Sequence, residues 1–367
     1  MSFTRRRFPG IAQGAAVLAT AVMLAACIGR TSRSTVSPED GSTASSSGLV
    51  RNGRVVLVTI DGARWQDVFE GSDPTLGSAA SIAPKRLMPR THALVARSGV
   101  AIGASAEGCG IARTAGAANM SLPGYQEIFT GRTSPCRDNR CAQVTETVLD
   151  EAVKDNVGGV ASIGSWEVLA KAVSGGGWGV FVSSGRRWPD QAPSDRLATL
   201  VAAGQGADPY PGSGEYRPDH QTAQIALEYM RVARPALFHV GLGDTDEYGH
   251  RGDYPRYLAA LRYADDVIGR LADMLDAMGA EGRNTTVIVT PDHGRNADFR
   301  DHGNVHPESA RTFILAFGGG MVARGQGCPV RDVTLADIAP TVRVLMGLPR
   351  DEAKEAGRPI ELITEHP

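Results

Sequence analysis

Six short segments of this 367-residue chain are continuous apolar runs rich in β-branched residues. They are "RVVLVTIDG" (54–62), "GVASIGS" (159–165), "WGVFVSS" (178–184), "ALFHVGL" (236–242), "TTVIVTPD" (285–292) and "TFILAFGGG" (312–320). A strand that lacks polar alternation is covered on both faces, which is the condition of a parallel sheet between helical layers. Helical patterns lie between the runs. The clearest spans Pro255 to Met278, with Leu258, Leu261, Ile268, Leu271 and Leu275 at three- and four-residue steps, Asp253 and Pro255 at its start and Gly279 at its end. The alternation implies an α/β fold with a doubly wound, mostly parallel central sheet flanked by helices. In such sheets ligands gather at the carboxyl ends of the strands. No internal repeat is present, and the Gly/Pro-rich stretch 185–218 reads as an insertion or lid.

The two ends of the chain obey other rules. "TRRRF" (4–8) precedes a short apolar run that closes on "LAAC" at Cys27. A basic start, an apolar centre and a small-residue boundary describe an export signal over residues 1–26. The Arg5–Arg6 pair with Phe8 resembles a twin-arginine signal, and "LAAC" resembles a lipobox that would lipidate Cys27. An ordinary cleaved signal with an accidental cysteine is the plainer alternative. The expectation is an exported protein, periplasmic or membrane-anchored through that lipid. Residues 27–49 are rich in Ser, Thr and Gly and read as a flexible tether, leaving 50–367 for the folded part, one large α/β domain with insertions or two domains.

Export makes the remaining cysteines disulfide candidates. Cys109, Cys136, Cys141 and Cys328 allow three pairings, among them a small "CRDNRC" loop between Cys136 and Cys141 that leaves Cys109 with Cys328. No Cys-x-x-Cys pair exists to suggest a thiolate zinc site. The net charge is −2, and removing Arg5, Arg6 and Arg7 takes it to about −5, which argues against a specific nucleic-acid surface. Oligomeric state is open.

Three of the apolar runs end alike. The first closes at Asp61, "ALFHVGLGDTD" at Asp246, and "TTVIVTPDH" at Asp292 with His293. In a parallel sheet these carboxylates meet at one edge, where their repulsion calls for a cation. His250 follows Asp246 by four residues, and His302 lies in "RDHG". Imidazole and carboxylate donors without thiolate suit Zn²⁺, with Mn²⁺ or Mg²⁺ as alternatives. Any one Asp after a strand is ordinarily a turn or cap residue; the joint pattern carries the argument. His239 within a strand and His92 within a helical pattern read as structural, and His306 is a reserve ligand.

"NMSLPGYQEIFTGR" (119–132) supplies a hydroxyl. Ser121 before Leu122-Pro123 reads as a helix N-cap, and a helix start also favours anions. A serine hydroxyl beside a divalent cation can act as a nucleophile near neutral pH. Seven donors divide between two ions about 3.5–4 Å apart.

Taken together, "VTIDG", "SLPGYQEIFTG", "DTDEYGH", "TPDHG", "DHG" and "LADIAPTVRVLMGLP" with "GRPI" resemble the alkaline phosphatase superfamily, closest to its nucleotide pyrophosphatase/phosphodiesterase-like and sulfatase-like branches. The similarity runs from Arg54 to Ile360. It implies an alkaline phosphatase-like fold and two metals, with Asp61, Ser121, Asp292 and His293 at one and Asp246, His250 and His302 at the other. Ser121 would be the nucleophile of a metal-dependent phosphoric ester hydrolase, a phosphomonoesterase or phosphodiesterase, that forms a phosphoseryl intermediate on a small-molecule ester. Gly124 stands where diesterase relatives are expected to carry a phosphoryl-contacting Asn, and Asn119 is the substitute candidate. Tyr125 stands where formylglycine sulfatases require Arg, which disfavours that chemistry. Alternatives are a phosphomutase or sulfatase-like hydrolase of the same fold, or a non-catalytic metal- or carbohydrate-binding lipoprotein. Arg113, Arg132 and Arg137 are the cations considered for monoester binding.

Overall fold

A computed structural model describes residues 53–77, 80–177, 179–189, 192–349 and 357–365. The expected signal, the lipidation at Cys27 and the tether all lie outside these residues. Among the described residues ten strands form: β1 (Arg54–Ile60), β2 (Gly99–Ile102), β3 (Ala112–Arg113), β4 (Val160–Gly164), β5 (Phe181–Ser184), β6 (Leu237–Leu242), β7 (Thr285–Thr290), β8 (Ile314–Gly318), β9 (Gly325–Gln326) and β10 (Val333–Thr334). Eight of them make one sheet in the order β5-β4-β6-β1-β7-β8-β2-β9, while β10 pairs with β3. Strands β5, β4, β6, β1 and β7 are mutually parallel, and β8 runs antiparallel to both of its neighbours. The sheet is the mostly parallel one that the apolar runs imply.

The central strand shows why its sequence lacks alternation. Val56, Val58 and Ile60 enter one core and Val55 and Leu57 the other, each at most 2% exposed. Against the first face packs the helix Tyr254–Ala277 through Leu258, Leu261, Ile268 and Leu271. Asp253 caps it by accepting the Arg256 N–H at 3.1 Å. Against the second face pack Ser121–Thr130 and Ile338–Met346, through Leu122, Ile128, Phe129 and Val342. Each fully buried aliphatic side chain contributes roughly 1.5–3 kcal/mol, so two-sided burial holds β1 in mid-sheet, with its carboxyl end between those of β6 and β7.

The disulfides are Cys109–Cys328 and Cys136–Cys141. The stretch 185–218 contains the helix Asp195–Gly206, which is capped by Ser194 and buries Leu197 and Val201. Among the described residues no helix is long and apolar enough to cross a membrane.

Candidate active site

The register of three neighbouring strands brings the acids together. Thr59 lies opposite Gly241 of β6 and Thr290 of β7. The next residue but one, Asp61, donates its N–H to Leu242 O at 2.9 Å, so the β1–β6 ladder continues up to the carboxylate-bearing residue. Asp292 accepts the Gly62 N–H at 3.1 Å, and Thr245 donates to Asp61 O at 2.6 Å. Asp246 and His250 share the short helix Asp244–His250, with His250 Nε2 3.2 Å from Asp246 Oδ2.

The histidine rings are oriented by the backbone. His293 Nδ1–H donates to Gly294 O at 2.8 Å, and His302 Nδ1–H donates to Asn119 O at 3.2 Å. Each ring is thereby left with a lone pair on Nε2, the tautomer a metal ligand needs. His293 Nε2 lies 3.4 Å from Asp61, 3.5 Å from Asp292 and 3.9 Å from Asp246. His302 Nε2 lies 3.8 Å from Asp246 and 3.1 Å from His250 Nε2. Two donor sets fall within 4.8 Å: Asp61, Asp292 and His293, and Asp246, His293 and His302.

Electrostatics show what this cluster lacks. Burial first, then Asp292 and Asp246, pushes the Asp61 carboxyl well above the usual range. Burial and Asp246 push Asp292 up to about 7, and its Oδ2 is buried without a hydrogen-bond partner. Burial, followed by the neighbouring His293, drives His302 down to about 2. Asp246 goes the other way: burial would raise it, but Arg295, His250 and His302 together hold it well below the usual range. Inward lone pairs, an orphaned carboxylate oxygen and mutually repelling acids fit divalent cations, which would compensate all three.

Ser121 belongs to this cluster. Its Oγ is 3.5 Å from Asp61 Oδ1 and 3.2 Å from His293 Nε2. It is not the helix N-cap that the sequence suggests: Met120 occupies that position, and Ser121 is the first helical residue with its hydroxyl turned to the acids. The Leu122 N–H is capped instead by Asn139 Oδ1 at 2.9 Å, from inside the Cys136–Cys141 loop. Since Pro123 has no N–H, two of the first-turn donors anticipated for an anion are accounted for. Gly124 is fixed by close approach, because a Cβ there would sit 2.0 Å from Asp292 O. Helix and strand end meet backbone to backbone at that point, so position 124 has no room for a substrate-binding side chain.

A pocket of about 150 Å³ opens over Ser121, lined by Asp61, Asn139, Trp166, Tyr216, Asp246, Glu247, His250 and His302 together with Gly243. Asn119 lies outside that lining. Its backbone is left-handed at φ 48°, its Oδ1 accepts from Thr114 Oγ1 at 2.7 Å, and its carbonyl holds His302. Arg113, Arg132 and Arg137 do not line the pocket, and Arg113 pairs with Asp332 at 3.0 Å. His92 bonds Val68 O at 3.0 Å, and His239 is buried between Thr59 and Ser162, 2.9 Å from each. His306 precedes the turn Pro307–Ala310 and joins neither donor set.

Several site residues escape the sequence reading. Arg295 pairs with Asp246, and Tyr125 OH donates to Asp61 Oδ2 at 3.2 Å. Trp166 could have been found from the strand-end rule, since it lies two residues beyond β4, and Asn139 from its place in a tight cysteine loop. Tyr216 and Glu247 carry no local signal.

Comparisons with known proteins agree with this architecture. The sequence model of the metalloenzyme superfamily matches residues 215–350. The 2,3-bisphosphoglycerate-independent phosphoglycerate mutase of Haloarcula marismortui is 29% identical over 140 residues, 36% of this chain and 25% of the mutase. The chain thus spans about a quarter of that relative's length. In fold it is similar to a protein of the alkaline phosphatase superfamily from Vibrio parahaemolyticus, with TM-score 0.54 and 16% identity over 84% of this chain and 69% of that one. It is equally similar to the phosphonate monoester hydrolase of Agrobacterium radiobacter, with TM-score 0.54 and 16% identity over 85% and 77%.

Proposed function

We propose that the chain is a member of the alkaline phosphatase superfamily, whose members are metal-dependent phosphoryl or sulfuryl transferases and hydrolases, and within it a phosphodiesterase whose nucleophile is Ser121; the metalloenzyme match over residues 215–350 and the likeness in fold support this reading. The observation that carries this reading is the Ser121 hydroxyl between Asp61 and His293, turned away from any capping role. Asp61, Asp292, His293 and Ser121 would hold one divalent cation, and Asp246, His250 and His302 a second, with zinc the metal best matched to this donor set. Such a pair supplies positive charge to the phosphoryl oxygens and lowers the proton affinity of the hydroxyl.

The chain's own groups perform the rest. Ser121 Oγ attacks phosphorus in line, forming an Oγ–P bond as the P–O bond to the departing alcohol breaks. Water then attacks the phosphoseryl ester and restores the hydroxyl. Asn139 spends its Oδ1 on Leu122 N–H, so its amide N–H groups are the free donors it presents to the pocket for a phosphoryl oxygen. Tyr125 and Thr245 fix the side chain and backbone of Asp61 from below.

Charge favours a diester over a monoester. A monoester is close to doubly anionic, and among the described residues the lining contains neither Lys nor Arg to meet the second charge. Arg295, the adjacent cation, is spent on Asp246 and on the carbonyls of Phe299 and Arg300. The zinc-loaded protein should therefore hydrolyse bis-nitrophenyl phosphate faster than nitrophenyl phosphate or nitrophenyl sulfate. Faster release from the sulfate or the monoester would overturn the substrate class.

A further inference from the structure

Asp246 and His250 ride on a helix of seven residues, Asp244–His250, that begins two residues beyond β6. The sheet fixes where that helix starts, but nothing in its own sequence caps it. Gly243 holds the N-cap position and has no side chain to accept the free first-turn N–H groups. A helix this short gains little from its own backbone bonds, so its direction depends on what holds its ends. The acceptor comes from elsewhere in the chain. Asp219, 2% exposed, accepts Gly243 N–H on Oδ1 at 2.7 Å and Asp244 N–H on Oδ2 at 3.0 Å. Asp219 is itself the first residue of the helix Asp219–Ala233, whose N-cap Pro218 offers no side-chain acceptor. Asp244 returns the contact: its Oδ1 accepts Asp219 N–H at 3.2 Å, together with Tyr216 OH at 2.8 Å. Two helix starts 25 residues apart thus cap each other.

The clasp is anchored on the sheet. Ser165, the residue after β4, donates its hydroxyl to Asp219 Oδ1 at 2.6 Å and its backbone N–H to Gly241 O at 2.9 Å. Arg217 fastens the same helix start to Gly164 O at 3.0 Å and to Ser183 Oγ at 3.1 Å. Asp219 belongs to neither donor set. We propose that Asp219 is a positioning residue: by capping the helix Asp244–His250 from a fixed point at the end of β4, it sets the tilt of that helix and so the spacing of Asp246 and His250 as ligands of the second cation. This inference rests on the two-cation site of the phosphodiesterase reading and adds to it a residue that touches neither ion nor substrate.

The test reads zinc affinity rather than turnover, by titrating the metal-free protein with zinc against a chromophoric chelator. Wild type should bind two ions. In Asp219→Ala one dissociation constant should rise about tenfold or more, the scale seen when a group that orients a ligand is removed, and the other should stay within about twofold. Asp219→Asn keeps one acceptor of the two and should shift the same constant less. The site is identified in the Asp246→Ala background, where only the other ion remains: adding Asp219→Ala should leave its constant within about twofold. If Asp219→Ala does not fold, Ser165→Ala replaces it, since it removes only the hydroxyl donated to Asp219, and a rise of about threefold in the same constant is expected. Constants unchanged in the variant that folds overturn the clasp. So does a parallel rise of both, or weakening of the remaining ion in the double variant, because general loosening would then explain the loss. A wild type that binds fewer than two ions overturns the clasp together with the second site. If two ions bind and no diester is hydrolysed, the phosphodiesterase reading falls, and the zinc constants still decide the role of Asp219.

Discussion

The two sides of the pocket are built on different principles. Its ligand side hangs from the ends of three adjacent parallel strands, where the backbone ladder of β1, β6 and β7 dictates where Asp61, Asp246 and Asp292 stand. Its opposite side is assembled from separate connections: the cysteine loop with Asn139, the turn after β4 with Trp166, and Tyr216 from beyond the helix Asp195–Gly206. A ladder ties position to sequence within a residue or two, whereas a connection ties it to nothing nearby. Chemistry common to many enzymes suits the first kind of support, and substrate choice suits the second.

The strongest way to break this comparison is to remove a donor from the ladder side. Asp246→Ala takes away a carboxylate shared by His250, His302 and Arg295. It should lose one metal equivalent by elemental analysis and about a thousandfold or more in kcat. Two equivalents retained at full activity would show that Asp246 holds no ion.

That asymmetry also explains what the sequence could reveal. Apolar runs without alternation report burial on both faces, so the parallel sheet and the strand-end acids are visible in "RVVLVTID" and "TTVIVTPDH". The short strands are not. β2 is four residues and β9 and β10 two each, too brief to show any period, and β8 gives no sign of its reversed direction. Ser121 shows the limit of local rules. A Ser before Leu-Pro satisfies the N-cap pattern, yet the cap comes from Asn139, eighteen residues on, because the disulfide loop delivers an amide there. Nor does anything local reveal why position 124 is a glycine, since the Asp292 carbonyl that lies 2.0 Å from where its Cβ would stand comes from a distant strand end.

A smaller effect sharpens the loop side. Asn139→Ala removes both the Leu122 cap and the amide donors, and kcat/KM should fall roughly 10- to 100-fold. Asn139→Asp keeps an acceptor for the Leu122 N–H but faces the substrate with an anion. It should preserve the melting temperature while losing at least as much activity as Asn139→Ala. If Asn139→Asp is fully active, Asn139 is a cap and nothing more. Reducing the Cys136–Cys141 bond should cost only a few-fold, because Asn139 is loosened rather than deleted.

The smallest expected effect is one of pH on the metal-free protein. Asp292 titrates near 7 when folded and near 3.9 when unfolded. The proton held by the folded form stabilises it at low pH, and that contribution is lost as pH rises through 7. Asp61, raised by burial and by its acidic neighbours, acts in the same direction. From Asp292 alone the metal-free protein should lose roughly 0.4 kcal/mol, about 1 °C in melting temperature, between pH 7 and pH 9, and Asp61 adds to that loss. His302, driven low, penalises folding only as pH falls through its unfolded value near 6.5, below this window. Zinc should flatten the slope by supplying the missing charge. A metal-free melting temperature that stays level or rises from pH 7 to pH 9 would mean these carboxylates are not held protonated.

The nucleophile assignment is tested most directly by Ser121→Ala, with turnover of bis-nitrophenyl phosphate and zinc content measured on the same sample. Loss of at least about a thousandfold in kcat, with close to two zinc equivalents retained, is the expected result. Turnover near the wild-type rate with both metals bound would contradict it and move the chemistry off the seryl oxygen.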